Sequence, residues 1–399
     1  MSRTLTISAD SHVNEPGDLW QERIGKKWGV RAPHIVRDAG SIPGDYMVMD
    51  GLPPAQMGQG VGAGKTGEEF VKMQMNIDYN RDVIAAGFDP SERLKAMDQD
   101  GMTAELLIPT LAGRLFSVKN AELQRDGFTV FNDWITEFSS YSPNRLVASG
   151  CISTYDAQEA AKEVQRCAKM GHKMAIIWHT PPEDLPFTSS HYDPFWAACQ
   201  DAQMPVCLHV LTGFTDSQSH SPVNVLQRFG RMKTAASVPE LAMLPPPEEM
   251  FIRTALGGIQ FNIQKTLYQL IYSGVFERFP GLKVLAAEYE CDWIPMFLRR
   301  ADESFANNKV AYATTLTMKP SEYFARQIYC TFTHDDQGVV YRDQIGVKQM
   351  VFASDFPHND TSWPGSQDIL DHMFEGVPDE DRAKMTGENS ISLFGLDID

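Results

Sequence analysis

Long apolar runs are missing from this sequence of 399 residues. Nowhere do about 18 apolar residues follow one another, so no membrane-spanning helix is expected. The opening Met1-Ser2-Arg3-Thr4-Leu5-Thr6-Ile7 lacks the apolar stretch of a secretory signal, so none is expected there. Basic charge is also short: 35 Lys and Arg face 52 Asp and Glu, a formal charge of −17. Nucleic acid and anionic membranes are bound through an excess of Lys and Arg, and neither is an expected partner. An anionic small molecule is still admissible, because a local pocket can oppose the global sign. Cysteine is sparse. Cys151, Cys167, Cys199, Cys207, Cys291 and Cys330 form no CxxC and no tight framework, and read as small buried apolar residues in a reducing cytoplasm. A low-complexity linker is missing too, which weighs against two separate domains.

What is present is a chain that can bury a large core, 43% hydrophobic and 10% aromatic. Short apolar runs alternate with amphipathic stretches. Strands are expected at Leu5–Ala9, Ala104–Pro109, Arg145–Ile152, Met174–Trp178, Val206–Val210, Lys283–Ala287, Ile328–Phe332 and Met350–Ala353. Helices are expected at Pro90–Asp98, Ala157–Lys169, Asp193–Ala202, Ile259–Glu277, Pro320–Arg326 and Tyr341–Ile345. Such alternation implies βα units around a parallel sheet. About seven or eight units with no nucleotide-binding repeat favour a closed (β/α)8 barrel over an open sheet. An ordinary barrel takes about 250 residues, leaving roughly 150. The expected organisation is one domain over residues 1–399, with insertions at 18–88, 211–250 and 296–322. Each leaves from the C-terminal end of a strand, where barrel insertions shape active sites.

Chemistry-bearing residues collect at the same ends. Asp10 and His12 follow the first strand and, two apart, point to one side. A carboxylate and an imidazole so placed suit a divalent metal, although Asp-x-His alone reads as readily as a turn with a surface histidine. His209 ends Pro205–His209, Glu288 follows Lys283–Ala287, and Asp355 follows Val351–Ser354. A helix cap is the plain reading of a strand-end Asp, but Pro357 and Trp363-Pro364 interrupt any immediate helix. His179 follows another strand and His358 lies three residues after Asp355. Each reads equally as a substrate contact or as a loop histidine satisfied by its neighbours. His334 reads as a helix-start residue. His34, His172, His191 and His372 read as structural or surface residues, with His220 in the loop after the His209 strand. Arg81, Arg114 and Arg253 are the arginines that could clamp a substrate carboxylate, and Arg253 is the favoured one.

Several segments together resemble the amidohydrolase superfamily, specifically its amidohydrolase-related branch, which includes aminocarboxymuconate semialdehyde decarboxylase and the resorcylate and vanillate-type decarboxylases. They are Asp10–Pro16, Tyr192–Trp196 through His209, Glu288 with Trp293-Ile294-Pro295, Lys319–Phe324 and Ser354–His358, in the expected order along almost the whole chain. The resemblance implies a distorted TIM barrel with a divalent metal at the strand C-termini. It implies His12, His209 and Asp355 as ligands, with Asp10 standing where relatives have His or Glu. It also implies no carboxylated lysine, and none stands at the relevant strand end. Glu288 is the departure, because the semialdehyde decarboxylase has a catalytic His at that position. Glu288 could act as a base or as a further ligand.

The ligand set Asp10, His12, His209, Asp355 and Glu288 fits a hydrolase or a non-oxidative decarboxylase acting on a small organic or aromatic acid. Asp355, Glu288 and His358 are the expected catalytic groups, with His179, His358 and Arg253 against the substrate. Zinc or manganese is the expected metal. Iron belongs to an alternative, a dinuclear Fe/Mn oxygen-dependent hydroxylase. A further alternative is a non-catalytic assembly subunit of a paralogous complex. A homodimer is expected by resemblance, and pairing with a paralogue would be the other arrangement.

Overall fold

Strands buried on both faces are what a parallel sheet wrapped by helices requires, and eight strands of this chain have that character. They are β1 (Ile7–Val13), β5 (Ala104–Pro109), β6 (Leu146–Cys151), β7 (Met174–Ile177), β8 (Val206–His209), β9 (Val284–Ala287), β10 (Ile328–Phe332) and β11 (Met350–Phe352), every residue of each buried. A computed structural model of the chain describes residues 5–40, 43–57, 59–65, 67–213, 259–311 and 314–398. The eight strands pair in the order β1-β5-β6-β7-β8-β9-β10-β11, all parallel. The two outer strands meet just beyond β11. Asp355 N–H donates to Asp10 O at 3.0 Å and His12 N–H to Phe356 O at 2.5 Å, closing the sheet into a TIM-like barrel.

Helices fill the connections. Pro90–Asp100 is capped by the Asp89 side chain and stopped by Gly101 in the left-handed region at φ +72°. Ala157–Lys169 starts on Asp156 in the same way. The expected single helix over Ile259–Glu277 is two pieces, Ile259–Tyr272 and Val275–Arg278. Gly274 lies between them at φ +74°, a conformation that ends an α-helix and that glycine adopts readily. The first strand also differs from its expected bounds. Asp10 and His12 lie inside β1, not after it. Between Ser8 and Ser11 the strand advances three residues while β5 advances two, a bulge of the kind found beside active sites. Small hydroxyls occupy the bulge: Ser8 Oγ donates to Asp10 O at 2.8 Å, and Ser11 Oγ lies 2.8 Å from Ser354 Oγ.

Within the 18–88 stretch, β2 (His34–Arg37), β3 (Asp45–Val48) and β4 (Ala55–Gln56) form a small antiparallel sheet. The chain then returns to the barrel mouth, where Asn14 Nδ2 donates to Gly60 O at 2.6 Å and Ala63 N–H to Pro357 O at 3.0 Å. A Cβ added at Gly60 would meet Thr110 Cγ2 at 2.2 Å. The 296–322 stretch takes in most of the helix Ile294–Asn308 and the start of Pro320–Gln327, between β9 and β10. Of the 211–250 stretch, only residues up to Gly213 are described.

Candidate metal centre

Two imidazoles are aimed at one point by their own backbone contacts. His12 Nδ1 lies 2.9 Å from Pro109 O, and His209 Nδ1 lies 2.7 Å from Val210 O. A carbonyl only accepts, so both Nδ1 atoms are donors and both Nε2 atoms turn inward. They come within 3.1 Å of each other. Around them are Asp10 Oδ1 at 3.3 Å from His12, Asp10 Oδ2 at 3.4 Å from His209, Asp355 Oδ1 at 3.5 Å from His12 and Glu288 Oε2 at 3.2 Å from His209. Ligand atoms of Asp10, His12, His209 and Glu288 all lie within 4.8 Å of one another, as do those of His12, Asp355 and His358.

The donor set fits a divalent cation. Asp10 is fully buried, yet neither of its oxygens accepts a hydrogen bond. A buried carboxylate left in that state is strongly disfavoured unless a cation faces it. Two imidazoles and oxygen ligands suit zinc, manganese or iron.

The electrostatics of the cluster follow from its burial and the crowding of its charges. Burial works against charge on His209, but Asp10 overrides it and lifts His209 to about 10. Burial and His358 push His12 down to about 4. Asp10, despite burial, is held well below the carboxylate range by His209 and His12. Burial lifts Asp355 to about 7, with Asp10 adding to it. Burial, then Asp355, raises Glu288 well above its ordinary value. The raised His209 thus favours a proton on the ring that faces Asp10 at 3.4 Å.

Two ligand-bearing positions need unusual backbone. Asp355 has φ +52° and Glu288 φ +67°, left-handed conformations that disfavour non-glycine residues by roughly 1–2 kcal/mol each. Asp355 is fixed by its N–H on Asp10 O and is followed by no helix until Ser366, so the cap reading does not apply to it. His12 is clamped from outside the barrel by Arg93, which sequence reasoning passed over. This fully buried guanidinium pairs with Glu105 at 2.6 Å, donates to His12 O at 2.8 Å, and lies over the Phe356 ring at 4.4 Å.

The other expected residues are distributed as follows. His358 stacks on His12 at 3.7 Å, with Nδ1 2.9 Å from Asp355 Oδ1 and Nε2 3.2 Å from Thr110 Oγ1. His179 is buried beside the centre but outside both ligand groups, its Nδ1 against Thr212 O and its ring 6.3 Å from that of Tyr289. His334 is exposed, with Nε2 3.2 Å from Asp360 O. Arg253 and His220 lie outside the described residues. Arg81 is exposed and makes two 2.8 Å bonds to Asp82. Arg114 donates to Pro53 O at 3.0 Å, and its Nε is buried without a partner. No spacing rule pointed to Thr110, Arg93, Thr331 or Asp335, because each acts on chain far away in sequence.

Known proteins share this fold. The γ-resorcylate decarboxylase of Polaromonas sp. strain JS666 is 23% identical over 321 residues, 76% of this chain and 86% of that protein. An amidohydrolase structure from Mycobacterium avium subsp. paratuberculosis K-10 superposes with a TM-score of 0.73 at 19% identity, covering 99% of this chain and 100% of that one. A dihydroxybenzoic acid decarboxylase structure from Polaromonas sp. JS666, with bound manganese and the inhibitor 2-nitroresorcinol, superposes at 0.64 with 18% identity, covering 98% and 97%. The family model described as Amidohydrolase matches residues 77–396. That span takes in seven of the eight barrel strands, β5 through β11, and leaves only β1 ahead of it. With seven of the eight barrel strands, His209, Glu288 and Asp355, and most of its length inside those bounds, the chain belongs to the amidohydrolase family.

Proposed function

We propose that this protein is a divalent-metal-dependent, non-oxidative decarboxylase of a hydroxylated aromatic acid. The observation that carries the reading is the Asp10 carboxylate, buried and unbonded between two inward-facing imidazoles. The decarboxylase relatives supply the substrate class. Asp10, His12, His209 and Asp355 would hold the ion. When bound, the ion supplies Lewis acidity and a chelating point for the substrate's carboxylate and adjacent hydroxyl oxygen.

The rest falls to the chain. The Nδ1 contacts to Pro109 and Val210 keep both imidazole rings aimed. His358, between Thr110 and Asp355, holds the Asp355 carboxylate and faces the substrate, and His179 closes the side toward β7. Glu288, with 33% of its side chain exposed, sits on the open side. Burial and Asp355 favour its protonated form. In the reaction the bond between ring carbon and carboxylate breaks, carbon dioxide leaves, and the proton on Glu288 Oε2 passes to that ring carbon. A Glu can do this where the semialdehyde decarboxylase has a His, because the group needed is a proton donor of either charge type.

Manganese is the first metal to test, since the Polaromonas decarboxylase structure holds it. Hydrolysis uses the same ligands, and the decarboxylase relatives favour decarboxylation over it. No relative named above is described as an oxygenase or an assembly subunit. The test is carbon dioxide release from 2,6-dihydroxybenzoate and 5-carboxyvanillate by protein loaded with Mn2+, Zn2+ or Fe2+. Release that EDTA abolishes, metal restores and His209→Ala eliminates supports the reading. Metal-loaded protein that releases none from a panel of hydroxylated benzoates overturns it.

A further inference from the structure

The chain after β9 turns twice into the left-handed region, at Glu288 (φ +67°) and Glu290 (φ +54°). Neither residue is glycine, so surrounding structure must enforce both turns. The enforcement comes from the end of β10 and the loop after it. Thr331 Oγ1 accepts the Glu288 N–H at 2.8 Å. The Glu290 carboxylate reaches across and accepts two backbone N–H groups, Thr333 at 3.0 Å and His334 at 3.2 Å. Asp335 returns the contact. Its Oδ2 accepts from Cys291 N–H at 2.6 Å and Asp292 N–H at 3.1 Å, while Oδ1 accepts from Gly338 N–H at 2.6 Å. Each loop thus carries a carboxylate spent on the other loop's backbone. Thr331 and Asp335 are both buried.

We infer that Glu290 and Asp335, with Thr331, are positioning residues that lock the β9 and β10 loops together and so hold the Glu288 carboxylate against His209. This deepens the reading of Glu288 as proton donor and rests on it. The geometry explains why carboxylates are used. An apolar contact would hold the loops near each other without fixing their register, whereas these acceptors fix the peptide planes that carry the Glu288, Cys291 and Asp292 N–H groups. Glu288 then has one direction in which to project, toward the 3.2 Å contact with His209 Nε2. None of the three residues belongs to either group of potential metal ligands.

The test uses full-length protein. With Mn2+ and 2,6-dihydroxybenzoate, Glu290→Ala is expected to lower kcat about a hundredfold, with KM within about twofold of the parent. Glu290→Gln keeps one acceptor oxygen but turns an amide NH2 toward the other backbone N–H, and should recover only part of that loss. In a Glu288→Gln background the same Glu290→Ala change should cost less than about twofold, because the group it positions is gone. A full, independent loss in that background overturns the inference, as does a parent-like kcat for Glu290→Ala. A second readout does not depend on activity. A crystal structure of metal-free Glu290→Ala should show Glu288 displaced from His209, and an intact 3.2 Å contact overturns the inference. If Glu290→Ala does not fold, Thr331→Val removes the acceptor for Glu288 N–H at nearly constant volume and takes its place in every arm. A parent protein that releases no carbon dioxide defeats the proposed function, and the crystallographic arm then decides the positioning role.

Discussion

The charge of Asp10 favours a proton on His209 that a metal ion must displace. His209 is lifted to about 10, so at pH 8 it is protonated in the metal-free chain and must lose that proton to offer Nε2. Asp355, at about 7, adds a second proton below pH 7, whereas His12, at about 4, is already neutral across this range. The sign follows: metal affinity rises with pH, and binding releases about one proton at pH 8 and more at pH 6. Calorimetry of Mn2+ binding in buffers of different ionisation enthalpy counts those protons, and zero release at pH 8 would refute the assignment. His209, Glu288 and Asp355 were legible because each closes or follows an apolar run, and a strand end in a barrel is a place in space as well as in sequence. Their supports were not. Asp335 acts on the Cys291 N–H, 44 residues away, and Arg93 acts on the carbonyl of His12, 81 residues away. Contacts to a distant backbone leave no trace in residue type or spacing.

Elements with strong periodicity and a clear cap fell where expected. Ala104–Pro109, Ala157–Lys169 and Ile328–Phe332 match residue for residue. The longest helix among the described residues, Ala121–Ser139, is not among the expected ones, although Asn120 caps it and it carries an apolar face. Gly127, Thr129 and the β-branched and aromatic residues around them lower its intrinsic propensity, and packing restores it. Strands β2 to β4 are too short, four residues or fewer, for alternation to register. The seam between β1 and β11 shows how one element holds another. Arg93, on the helix Pro90–Asp100, ties that helix to Glu105 on β5 and to His12 on β1. Arg93→Met would leave Glu105 buried without its cation and free the His12 carbonyl. A destabilisation of about 3–5 kcal/mol is expected by urea titration. Adding Glu105→Gln should recover part of it, because the uncompensated charge is then removed. A loss below about 1 kcal/mol for Arg93→Met alone would mean the clamp is not structural.

At the scale of the whole molecule, the candidate ligands come from opposite ends of the chain. Asp10 and His12 lie on the first barrel strand, Asp355 follows the last, and His209 lies on the strand midway between. An unfolded chain cannot hold residues 10 and 355 together, so an ion that needs both binds the native barrel alone. Binding only the native state stabilises it by about 2.7 kcal/mol when free metal is one hundred times the dissociation constant. The closed order of strands transmits that stabilisation, since opening the β1–β11 seam both exposes the core and scatters the ligands. Chelation by EDTA is therefore expected to lower Tm by several degrees, and added Mn2+ to raise it in proportion to the logarithm of its concentration. His209→Ala and Asp10→Asn should each abolish the metal-dependent part of the shift while leaving the barrel folded. The decisive comparison is protein shown by elemental analysis to carry metal. If its Tm is the same with and without EDTA, or if His209→Ala keeps the full shift, the ion is held somewhere other than this seam.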